Sequence, residues 1–118
     1  MSAFPRPALS AIAFQLVGAL ETYQASFDRL LASRPTLDHC RALGTQLDEI
    51  LLLKGALPQL SVQSVELLVC HTELMHVLWG ALHPGRTARD DLVERHRDSV
   101  AAMRAKCLRL FCRSAAPA

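Results

Sequence analysis

The chain predicts an all-α fold: an antiparallel bundle of about four helices, with the first and last helices long. Three observations carry this. Apolar residues recur in alternating steps of three and four in every segment between breakers, which is the period of a helix face rather than of a strand. Leu and Ala dominate a chain of 118 residues that is 51% hydrophobic and 20% charged, and both are strong helix formers. The breakers Arg34-Pro35, Gly55 with Pro58, and His83-Pro84-Gly85 divide the chain into four stretches of helical length. No stretch of Val, Ile and Thr alternates cleanly with polar residues, so strands have no support.

The first helix is expected from about Ala8 to Ala32. Leu9, Ala13, Leu16, Leu20, Tyr23, Phe27 and Leu30 form its core ladder. Pro5 and Pro7 precede it, where proline is tolerated near a helix start, and Arg34-Pro35 ends it because the residue before proline avoids the α region. The second helix is expected from Leu37 to Lys54. Thr36 can cap it and Asp38 suits the positive end of its dipole. Cys40, Leu43, Leu47, Ile50 and Leu51 make its core stripe, Leu52 and Leu53 lie off it, and Gly55 closes it.

The third helix is expected from Ser61, acting as N-cap, to Leu82. It carries two ladders. Leu60, Ser64, Leu67, His71, Leu74, Leu78 and Ala81 form one; Val62, Val65, Val69, Thr72, His76 and Trp79 form the other. They lie roughly 160° apart at 100° per residue. A helix packed on a small domain needs one apolar stripe, so the second is expected to face another chain. The leucine ladder reads as the binding face, with Leu52, Leu53, Leu67, His71, Leu74 and Leu78 as partner-binding residues and the valine ladder as core. The fourth helix is expected from Thr87, capped by its own hydroxyl with Asp90 three residues on, and to fray over Ser114–Ala118. Arg89, Val93, His96, Val100, Met103, Cys107 and Leu110 form its core ladder. No internal repeat or long linker divides the chain, so residues 1–118 are expected to form a single helical protein-interaction domain.

Charge is uneven. Net charge is +2, but residues 86–118 hold eight Lys/Arg against four Asp/Glu, while residues 1–85 hold five against seven. A basic last helix suggests nucleic acid or an acidic partner, through Arg95, Arg97, Arg104, Lys106 and Arg109. Those cations are spread around the helix, and aromatics are 5% of the chain, leaving few platforms for bases. A small basic nucleic-acid-binding protein is therefore the alternative, and direct sequence-specific binding is not expected.

Cys40, Cys70, Cys107 and Cys112 contain no Cys-x-x-Cys pair and read as free thiols of a reducing cytoplasm. The apolar stretch Ala8–Leu20 resembles a signal peptide, but Gln15 interrupts it and the ladder continues to Leu30. No apolar run reaches the roughly 18–20 residues of a membrane span. Cys70, His71 and Met75 could be imagined around a soft metal, yet no dense ligand array accompanies them. No nucleophile elbow, phosphate-cradling glycine loop or paired acidic motif is present, and the Lys-Gly run of a phosphotransfer histidine is missing. The chain is expected to be non-enzymatic, without cofactor or metal.

Two segments carry a resemblance: DEILLLKGALPQL, Asp48 to Leu60, and ELLVCHTELMHVLWGALHPGR, Glu66 to Arg86. With overall length and helix order, they make the chain resemble the small helical antiactivators of bacterial quorum sensing. No short diagnostic motif accompanies the likeness, so no binding residue transfers from it. The resemblance implies a protein that binds the ligand-binding domain of a LuxR-type transcription regulator and blocks its dimerisation and DNA binding. A homodimer is a further assembly that the doubly apolar third helix allows.

Overall fold

The computed structural model describes residues 6–80 and 85–115. It contains four α-helices: α1 (Arg6–Ala32), α2 (Leu37–Lys54), α3 (Ser61–Leu78) and α4 (Arg86–Ala115). A 3₁₀ turn, Pro58–Leu60, leads into α3, and no strand occurs among the described residues. The all-α expectation holds, with α1 and α4 the longest at 27 and 30 residues.

The spine of the molecule is α1 packed antiparallel along α4. Three contacts fix the register: Phe14 against Phe111, Glu21 with Arg104 and Asp28 with Arg97, so that numbers rise along one helix as they fall along the other. At 1.5 Å per residue these helices run for about 40–45 Å, which accounts for most of the 52 Å long axis. α2 lies on α1 and α3 lies on α4, while α2 and α3 barely touch each other.

The core follows the ladders of three helices closely. Ala13, Leu16, Leu20, Tyr23, Phe27 and Leu30 of α1 are buried, as are Leu43, Leu47 and Ile50 of α2, and Val100, Met103, Cys107 and Leu110 of α4. Arg89, at the head of the expected α4 ladder, is exposed. Thr36 caps α2 as its position suggests: its Oγ1 accepts from the His39 N–H at 3.1 Å.

Four boundary details differ from expectation. Ser61 does not cap α3; it is already helical, and its hydroxyl donates to the Pro58 carbonyl at 2.7 Å. The 3₁₀ turn pre-forms the entry, with Leu57 and Leu60 buried beneath it, so a side-chain cap is not needed. Gly55 stays right-handed at φ −57°, because the chain bends onward into that turn rather than stopping. The left-handed glycine is Gly80, at φ 75°, and its N–H bonds to the Val77 carbonyl at 3.1 Å. That geometry ends α3 at Leu78, and the expected continuation through Ala81 and Leu82, with the His83-Pro84 stop, lies outside the described residues. Finally, α4 begins at Arg86, with Gly85 O accepting from Arg89 N, so Thr87 lies within the first turn; the helix runs on through Ser114 and Ala115.

Candidate protein-binding site

α3 is apolar on both faces, and the structure assigns them opposite to the sequence expectation. Leu60, Ser64, Leu67 and Leu74 are buried, Leu67 and Leu74 completely. Val62, Val65 and Val69 are 64%, 60% and 45% exposed, and Leu68 and Trp79 join them at 43% and 49%. The leucine ladder is core and the valine ladder is surface. Of the six residues expected to bind a partner, only Leu52 is fully at the surface, isolated on the far side of α2. Leu53 and Leu78 are half-buried against the core, His71 is half-buried in a hydrogen bond, and Leu67 and Leu74 cannot touch a partner without unfolding the helix.

The physical reason lies in two polar residues of the leucine ladder. These are Ser64 and His71. In the fold both are satisfied internally: Ser64 Oγ donates to the Ser61 carbonyl at 2.9 Å, and His71 meets Tyr23. Leucine also fills a core more fully than valine, so four leucines outcompete three valines for the inner side.

The exposed residues of α3 fall within one arc of the helix. At ordinary side-chain areas Val62, Val65, Leu68, Val69 and Trp79 present on the order of 450 Å² of apolar surface, within the range of patches that mark interaction sites. Beside this arc runs a groove between α3 and α4 of about 530 Å³, lined by Val65, Val69, Glu66, Arg95, Asp98 and Ala102 among others.

Beneath α3 lies a polar cluster; sequence reading places His96 as a hydrogen-bonded core histidine but misses its partners. Tyr23 of α1 is wholly buried, and its hydroxyl lies 2.7 Å from His71 Nδ1 of α3 and 2.9 Å from His96 Nε2 of α4. A phenol has one proton. It donates to one imidazole and accepts N–H from the other, so at least one ring is neutral, and when both are neutral they share one tautomer, because one presents Nδ1 and the other Nε2. Burial favours that state. It holds the His96 pKa down at about 4 and lowers that of His71, where Asp48 pulls weakly the other way. Desolvation likewise pushes the Tyr23 phenol far up, which keeps it protonated. Phe27 lies against His96 at 4.1 Å between ring centroids and seals the cluster. Part of the signal was present in the sequence: Tyr23 and His96 each stand on a ladder read as core, and buried polar tips need partners, whereas His71 stands on the ladder read as outward.

This cluster ties three helices together; its geometry does not suit a metal. The phenol oxygen occupies the point at which both ring nitrogens aim, and an ion shared by them would have to displace it. Cys70 is buried with a raised pKa, which disfavours the thiolate a soft metal requires, and His71 is engaged by Tyr23. Among the described residues no group of three His, Cys, Asp or Glu side chains is placed to hold an ion.

Three arginines of α4 form ion pairs with carboxylates of other helices. Arg95 pairs with Glu73 at 3.7 Å, Arg97 with Asp28 at 3.2 Å and Arg104 with Glu21 at 3.4 Å. The four cysteines are free thiols, with Cys70 and Cys107 buried, Cys40 half-buried and Cys112 exposed. Among the described residues no helix is long and apolar enough to cross a membrane. No protein-family profile, curated protein or solved structure matches the chain.

Proposed function

We propose that this protein is a non-enzymatic, cytoplasmic antiactivator. It binds the ligand-binding domain of a LuxR-type transcription regulator and blocks that regulator's dimerisation and DNA binding. The observation that carries the binding role is the outer face of α3, where five large apolar side chains stand in water on a rigid helix. Rigidity matters because a helix already ordered by its core loses little conformational entropy on docking. The choice of partner rests on the resemblance of chain length, helix order and the two segments Asp48–Leu60 and Glu66–Arg86. The mechanism is competition: an apolar helix face covers the surface that the regulator uses for its own dimer, and burial of about 800 Å² per partner suffices for a stable complex.

The test is a gel-shift titration of a regulator already bound to its promoter. Adding this protein releases free DNA, and Val65→Asp with Val69→Asp abolishes the release while the circular dichroism spectrum is kept. A stable complex of protein, regulator and promoter, or release that survives both substitutions, overturns the mechanism. The pairing of Arg95, Arg97 and Arg104 with carboxylates leaves Lys106 and Arg109 as the cations of the five without an ion pair among the described residues, which weakens the nucleic-acid alternative.

A further inference from the structure

The outer face of α3 does not stand alone. It borders the α3–α4 groove, and the groove has a charge character distinct from the basic excess of α4 as a whole. Its apolar surface is Val65, Val69 and Ala102. Its charged residues are Glu66, Asp98 and Arg95. Arg95 is held by Glu73 at 3.7 Å, whereas Glu66 and Asp98 have no ion-pair partner among the described residues. Lys106 stands one turn beyond Ala102 on α4 and does not line the groove. Two carboxylates, one from each helix, stand against a single arginine that is itself shared with Glu73, so the lining is net negative.

We propose that the α3–α4 groove receives a cationic amphipathic helix of the partner protein, its apolar stripe on Val65, Val69 and Ala102 and its Lys or Arg flanks on Glu66 and Asp98. Helix-in-groove recognition needs apolar anchors along one stripe and charges at the rim that set partner choice. Both are present here, and Val62 continues the apolar strip one turn towards the start of α3. The inference rests on the outer face of α3 being the binding surface. It adds the sign and shape of what binds there.

Trp79 is the sole tryptophan and is 49% exposed, so its emission reports docking without a label. The probes are two synthetic 18-residue amphipathic helices with the same Leu/Ala stripe, one flanked by Lys and the other by Glu. The full chain is titrated with each at low and at physiological salt. The Lys-flanked helix is expected to give a saturable blue shift and to bind at least tenfold more tightly at low salt, with the preference shrinking as salt screens the rim. Glu66→Lys combined with Asp98→Lys, both at exposed positions, reverses the preference and leaves the thermal melt in place. Equal affinity for the two helices overturns the proposal, as does the absence of saturable binding. So does sedimentation showing that a second copy of this chain already buries Trp79. If the helices bind equally while Val65→Asp still abolishes promoter release, the charge inference fails and the antiactivator reading stands. If the Lys preference appears without promoter release, the reverse holds.

Discussion

Removing one oxygen from the centre of the molecule should cost it a large part of its stability. Tyr23→Phe keeps the ring, which packs against Phe27 at 5.7 Å between centroids, and deletes only the hydroxyl shared by His71 and His96. Two hydrogen bonds are lost, and a buried imidazole nitrogen on each histidine loses its partner. A net hydrogen bond is worth about 1 kcal/mol and an orphaned buried group costs about 1–3 kcal/mol, so the substitution should destabilise by about 2–4 kcal/mol. For a domain of this size that lowers Tm by roughly 10 °C.

The same cluster sets an acid dependence whose sign follows from proton linkage. His96 has a folded pKa of about 4 against 6.5 in the unfolded chain, so below pH 6.5 the unfolded state binds more protons. Stability is then full above pH 6.5 and falls as pH drops towards 4. The loss from His96 alone is about 3 kcal/mol at the bottom of that window, and His71 acts in the same direction. Urea denaturation followed at 222 nm, at pH 7.5, 6.5, 5.5 and 4.5, measures both effects. His96→Gln, which cannot titrate, should be less stable at pH 7.5 but show a flatter profile. Stability that is level between pH 6.5 and 4.5, or a Tyr23→Phe variant as stable as the parent, refutes the reasoning.

Further outcomes follow from the burial pattern. Leu67→Asp or Leu74→Asp should unfold the domain, since an unpaired buried charge costs several kcal/mol, whereas Val65→Asp should change stability by about 0.5 kcal/mol or less; thermal melts separate the two classes. Gly80→Ala should cost about 1 kcal/mol, because a Cβ is disfavoured at its φ of 75°, and urea midpoints read the difference. A thiol reagent added to the native protein should modify Cys112 quickly and Cys40 more slowly, with Cys70 and Cys107 reacting only in denaturant; mass spectrometry after timed quenching counts the adducts.

How far the sequence revealed the fold depended on contrast between helix faces. On α1, α2 and α4 one face is apolar and the other carries Glu21, Asp28, Glu49 or Arg97, so the ladders point inward without ambiguity. On α3 the contrast vanishes. Two apolar arcs roughly opposite one another cancel, and periodicity gives the angle between them but no sign. What sets the sign is that Ser64 and His71 find internal partners, which the sequence pattern alone does not show. The partner-binding set inherited that inversion. Leu52 escaped it because it lies opposite Leu43, Leu47 and Ile50 on a helix whose inner face was clear. The end of α3 was legible in principle from Trp79-Gly80, but the stronger breaker His83-Pro84-Gly85 a few residues later drew the boundary too far.

The pairing of α1 with α4 also shapes how the chain reaches this state. Its most extensive interface joins the first helix to the last, so the contacts Asp28–Arg97 and Glu21–Arg104 close loops of most of the chain. Helical proteins fold fast when their contacts are local, and loop closure over such separations slows them. During synthesis α1 and α2 can form a hairpin early, but α3 has little contact with α2 and must wait for α4 to cover its leucines. Until the last helix leaves the ribosome, α3 is apolar on both sides with neither side covered. The nascent chain is then at its most aggregation-prone, and a truncation that removes the end of α4 should leave it there permanently.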